Sequence, residues 1–235
     1  MRTALTVVLL GMVVSLTGCI VPIIPSLHPF YTAKDLVFDP ALVGSWEQQQ
    51  AEGEAPSAEP PQAWTFKQSE SEAKAYDLTV SVKDHSASFS AHLAKFGDAL
   101  FLDLLPNELQ IPEFKPEAEE SESPEEEAGA GVTALYIFHY VPAHSVWRVR
   151  LDGNELRLND LDGGWVAEQV RERTLGLRCE DVSGTPVLTA SPEELRKFLL
   201  KHRRDDKAFP VFWCVCKRQE PAPPEPKREG HSPAK

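Results

Sequence analysis

In its body, from residue 41 on, the sequence lacks any apolar run that approaches the about 20 residues of helix a bilayer's hydrocarbon core takes, because charges cut each one. The N-terminal apolar stretch Ala4 to Val14 is also shorter than that. Also missing are a Gly-rich phosphate loop, a G-x-S-x-G elbow, an H-E-x-x-H pair and a C-x-x-C pair. The best-known routes to nucleotide, serine-hydrolase, zinc-protease and dithiol chemistry are therefore absent as motifs, and no catalytic residue is assigned. Basic charge is scarce: 24 Lys and Arg stand against 36 Asp and Glu, a net charge of −12. That balance argues against nucleic acid as a partner and against electrostatic attraction to anionic lipid. Cysteine is limited to Cys19, Cys179, Cys214 and Cys216, without the ligand spacing of a zinc site, so neither a metal nor a cofactor is expected.

What is present begins with an export signal. Arg2 supplies a positive start, Ala4 to Val14 an apolar stretch, and Leu16-Thr17-Gly18 a small-residue approach to Cys19. Leu16-Thr17-Gly18-Cys19 resembles the lipobox of bacterial lipoproteins. The resemblance implies cleavage before Cys19, acylation of that residue, and attachment to a membrane through several acyl chains, each methylene contributing about 0.8 kcal/mol. Ile20 follows, where lipoproteins retained in the inner membrane of enteric bacteria carry Asp. The resemblance thus favours the outer membrane, facing the periplasm. On this reading residues 1–18 are a signal peptide and 19–40 a lipidated cysteine with a spacer, extended by prolines 22, 25, 29 and 40.

A single β-rich domain is expected over 41–218. Tyr76, Leu78, Val80 and Val82 alternate with polar residues, the period of a half-buried strand, and Phe89, Ala91 and Leu93 continue it. Phe96-Gly97-Asp98-Ala99 reads as a tight link into Leu100 to Leu105. Asp152-Gly153 reads as the turn between His144–Leu151 and Asn154–Leu158. Val132 to Val141 is a further strand candidate, and Phe209 to Cys216 a buried last one. Asp162 is placed to cap a short helix carrying Trp165, and Ser191-Pro192-Glu193-Glu194 is a capping box opening a second, to about His202. Seven glutamates between Glu117 and Glu127 mark 116–131 as an acidic disordered loop, and 219–235 is a Pro-rich tail.

Tyr31, Thr32, Asp35, Gly44 and Trp46, with a second likeness around Trp165, resemble a group of bacterial lipoproteins without an assigned activity. Gly44-Ser45-Trp46 is also similar to the Gly-x-Trp that opens lipocalin-like barrels, where the tryptophan packs across the closed end. The expected fold is mainly β: an antiparallel lipocalin-like barrel, closed or partly open, with two short helices, one packed at a barrel end. A two-layer α+β arrangement is the alternative. Trp46 and the aromatic face Tyr136, Phe138 and Tyr140 are the candidates for lining its lumen.

With Cys19 acylated, three thiols remain. Either Cys179 pairs with Cys214 or Cys216, or all three stay reduced. His85 and His92, seven apart, fall on opposite faces of a strand, while His139 and His144 flank Pro142; none has a partner that sequence identifies. Ser71-Glu72-Ala73-Lys74 matches S-x-x-K without its companion motifs. The leading expectation is a lipid-anchored envelope protein whose body binds a small apolar ligand or an envelope protein, or is structural. The rival is an envelope hydrolase with a site assembled from distant strands.

Overall fold

The computed structural model describes residues 23–50, 60–107, 141–210 and 214–220. Cys19, the lipobox, Tyr136, Phe138, Tyr140, His139, the acidic loop 116–131 and residues 221–235 lie outside them.

The alternating segments become strands joined by minimal links. Strands β2 (Gly44–Gln48), β3 (Ala63–Gln68), β4 (Ala75–Val82), β5 (His85–Phe96), β6 (Ala99–Pro106), β7 (His144–Asp152) and β8 (Glu155–Asp160) form an antiparallel meander. The last strand, β11 (Cys214–Arg218), pairs with both β8 and β2 and closes an eight-stranded lipocalin-like barrel. The links 83–84, 97–98 and 153–154 are two residues long, each opening on a residue with positive φ: Lys83, Gly97 and Gly153. That left-handed geometry matches the twist of the flanking strands.

Between β8 and β11 the chain forms an outer layer: helix α1 (Gly163–Arg171), strands β9 (Cys179–Val182) and β10 (Thr185–Leu188), and helix α2 (Pro192–His202). Asp162 caps α1 by accepting from the Trp165 N–H at 2.6 Å. Ser191 and Glu194 complete the reciprocal capping box of α2, with proline at its first position. A two-residue strand, β1 (Pro25–Ser26), bridges the layers, pairing antiparallel with β7 and parallel with β10.

Two apolar cores share one wall. Trp46, Phe66, Leu78, Leu93, Leu102, Val149 and Leu156 point into the barrel, whereas Ala94, Phe96, Phe101 and Val146 point out from the same β5–β6–β7 wall. Leu195, Phe198 and Leu199 of α2 and Val166 of α1 cover the outward set, together with Phe30 and Phe209. The late helix thus seals the outer wall near the β5–β6 turn, where Arg203 and Arg204 both bond Asp98 and hold its carboxyl down at about 2.

Two boundaries differ from the sequence expectation. The proline-spaced segment is packed from Ile24 onward: Ile24, Ser26 and Phe30 are fully buried and Leu36 nearly so, because the outward face of β5–β7 needs a cover. Among the described residues the final strand covers Cys214–Arg218, and Phe209 lies outside it. Phe209 belongs to the outer core, edge-on to Phe101 at 5.4 Å, and Pro210 follows, lacking the N–H a central strand requires.

One end of the barrel is closed by a 3-10 turn, Pro40–Leu42, leading into β2. Leu42 accepts from Trp46 Nε1 at 2.9 Å, and Arg218 lays its guanidinium 4.1 Å from the centre of the Trp46 ring. The same guanidinium donates to the carbonyls of Val43 (2.8 Å) and Ala41. Gly44 has φ +132°, and a Cβ there would stand 2.6 Å from Arg218 Nη1. The Gly-x-Trp spacing is therefore explained by one clamp: glycine makes room for the arginine that caps the tryptophan. Replacing Arg218 by Ala removes two carbonyl partners and the ring contact, an expected loss of about 2 kcal/mol in urea unfolding. Gly44→Ala is expected to cost about as much, through strain and displacement of the arginine.

Candidate functional site

The lumen is the first place a lipocalin-like barrel can hold a ligand, and here buried apolar side chains of the described strands pack into it. Trp46 is fully buried and points into the barrel, where Arg218 covers its ring. Trp64 on β3 and Trp147 on β7, strands on opposite sides of the eight-membered ring, meet edge to face with centroids 5.8 Å apart. Aromatic contact across the full width leaves little unfilled section. Tyr76 adds a lock at the closed end. Its ring stacks on Phe38 at 4.9 Å, its hydroxyl accepts from the Asp39 N–H at 2.7 Å, and burial pushes its pKa up to about 12.

Cys214 and Cys216 also face the lumen, with Sγ atoms 3.0 Å apart. Cys179 sits against the outer core on β9, across the barrel wall from them, so the bridge considered from sequence is not formed. The contact with Cys214, with burial, raises the Cys216 pKa and keeps that thiol protonated. A buried protonated thiol is a poor nucleophile and a poor metal ligand.

A polar group that sequence did not reveal lies on the outward face of β5–β7. Asp103, wholly buried, holds His144 Nδ1 at 2.7 Å through Oδ2. Its register partner on β5 is His92, whose Nε2 lies 3.0 Å from Glu72. Tyr31 covers His92, ring centroids 5.3 Å apart. Burial pushes the Asp103 carboxyl up, and His144 and then His92 pull it partly back. Burial, then the charges of Asp103 and Glu72, raise the Tyr31 hydroxyl. Asp103 Oδ1 and His92 Nδ1 have no hydrogen-bond partner among the described residues. The sequence signal was a lone Asp inside the apolar run Leu100 to Leu105, since a buried carboxylate requires a partner.

The Asp103–His144 pair has the form of an oriented general base, yet among the described residues no hydroxyl hydrogen-bonds to His144. Ser26, opposite His144 on β1, donates instead to the His28 carbonyl at 2.7 Å and is fully buried. Ser71 and Lys74 are turned to other partners, Ser69 Oγ and the Leu36 carbonyl. His85 is exposed while His92 is buried, as strand alternation requires. No group of three or more metal-binding side chains occurs among the described residues. Two clefts among them, about 240 Å³ beside Arg150 and Glu155 and about 200 Å³ beside Lys197 and Phe198, reach neither the lumen nor this cluster.

No family model matches the chain, and neither a curated protein nor a solved structure gave a match.

Two of the buried carboxylates, Asp160 and Asp103, make contrasting predictions. Asp160 is 2% exposed with Oδ2 unpartnered among the described residues, and burial, with Asp162 nearby, pushes its pKa up to about 6. A carboxyl whose folded pKa lies above its unfolded value binds its proton more tightly when folded, so its contribution to stability is complete at low pH and lost as pH rises. Asp160→Asn is therefore expected to match the wild type near pH 4 and to exceed it by about 1–3 kcal/mol at pH 7, in urea titrations at both values. His144→Ala strands Asp103 without its partner, an expected loss of about 3 kcal/mol at pH 7. Adding Asp103→Asn to that variant should recover most of the loss.

Proposed function

We propose that the protein is a lipid-anchored bacterial envelope lipoprotein whose barrel serves as a non-catalytic binding or structural body, working through its surface. The observation that carries this reading is the filled lumen, in which Trp64 and Trp147 meet across the barrel. A barrel whose described strands pack their side chains against one another inside offers partners its outside. That favours an envelope protein over a small apolar ligand. The anchoring half rests on Leu16-Thr17-Gly18-Cys19 behind a short apolar stretch. An outer-membrane address is the finer part of the proposal and rests on Ile20.

A second reading, an envelope hydrolase, is favoured by one observation, the oriented Asp103–His144 pair. Burial of the pair away from both clefts weighs against it.

Labelling with a radioactive or alkyne-bearing fatty acid in a bacterial host tests the anchor. The wild-type chain is expected to take up label and to fractionate with membranes. Cys19→Ala is expected to lose the label and remain unprocessed. Label retained by the variant overturns the proposal.

A further inference from the structure

The four exposed large apolar side chains among the described residues are Ile23, Leu27, Val141 and Val182, between 41% and 66% exposed. They are far apart in sequence, and the topology gathers them. Ile23 and Leu27 flank β1. Ser26 pairs with His144, so Leu27 runs beside the residues that lead from Val141 into β7. Ser26 also pairs in parallel with Leu188, so the chain before it runs beside Thr185, which opposes Val182 on β9. The four thus lie along the small β1–β10–β9 sheet and its seam with β7, and β1 is the described strand nearest in sequence to Cys19.

Covalent reach makes this placement informative. Four peptide units separate Cys19 from Ile23, which limits their Cα separation to about 14 Å. An acylated Cys19 sits at the membrane interface, so Ile23 must lie within that distance of it, with β10 and then β9 each about 5 Å further across the sheet. Exposed apolar side chains held so close to a bilayer gain by leaving water.

From this we infer that the β1–β10–β9 sheet is a membrane-facing surface. It rests against the bilayer with Ile23, Leu27, Val141 and Val182 in the interfacial region, and the β3 side of the barrel turns away. The inference rests on the lipid anchor proposed above. The charges exposed on β9 are acidic, Glu180 and Asp181, so the fitting surface is rich in zwitterionic phosphatidylethanolamine, not anionic lipid.

The test uses the full chain, expressed with its signal in an acylating bacterial host and reconstituted into vesicles of phosphatidylethanolamine and phosphatidylcholine. In a Cys179→Ser background, nitroxide labels are placed through Val182→Cys, Val141→Cys and Lys67→Cys. Lys67 is exposed on β3, four strands around the ring from β7. Mass spectrometry reports acylation, and collision rates with oxygen and with a water-soluble nickel chelate report depth. At 182 and 141 the nickel-chelate rate is expected to be at least fivefold below that at 67, with oxygen favoured. Equal rates at all three positions in acylated, vesicle-bound protein overturn the inference and leave the anchor intact. Protection at 182 that persists without lipid identifies a second copy as the occupant and likewise overturns it. A chain that is not acylated overturns the anchoring reading itself, and this surface with it.

Discussion

The placement of Arg218 over Trp46 is the contact on which the barrel's closure depends. It joins the first barrel strand to the last, binds the carbonyls of the 3-10 turn that plugs the end, and dictates glycine at position 44. A meander of eight strands has two free edges until β2 meets β11. Their hydrogen bonds close the ring, and the guanidinium fixes its register at one rung, Arg218 opposite Trp46. With the ring closed around three tryptophans, the interior is committed to packing.

The second organising fact is the shared wall. Strands β5, β6 and β7 carry apolar residues on both faces, inward for the barrel and outward for α1, α2 and the segment from Ile24 to Leu36. A strand covered on both sides reads as a continuous apolar run, as Leu100 to Leu105 does. The polar residues that interrupt this wall are paired at its outward face: Asp103 with His144, and Arg148 with Asp206 and the Phe209 carbonyl. Arg148 pins residues 203–209 to the barrel. Arg196 on α2 ties the N-terminal segment to that helix through Asp35, whose carboxyl is raised by burial but lowered overall by its bonds from Thr32 and Arg196.

How much was legible follows from the range of each signal. Strand β4, the turns at Gly97 and Gly153 and both helix caps are local patterns, and each appears where the sequence places it. Gly44 and Trp46 indicated the barrel, but the reason for their spacing lies 172 residues away from Trp46, at Arg218. The two residues of β1 contain a proline and have no period to read; only the buried partner surface makes them a strand. Prolines that suggest a spacer are equally compatible with an extended segment laid on a wall, and Phe30 decides between these by its burial. The contact of Asp103 with His144 spans 41 residues and rests on the barrel's register, which no local pattern encodes.

The seam between β6 and β7 has a consequence for how this chain can change. Leu104 and Ser145 are direct ladder partners, so the chain leaves the barrel and rejoins it on neighbouring strands at one level. With the two ends held side by side by the ladder, doubling the length of a flexible connection between them costs only about 0.6 kcal/mol of closure entropy. The two-residue links at 83–84, 97–98 and 153–154 grant no such freedom. This seam is the natural port of the scaffold, where foreign sequence can be spliced in while every hydrogen-bonded rung stays in register.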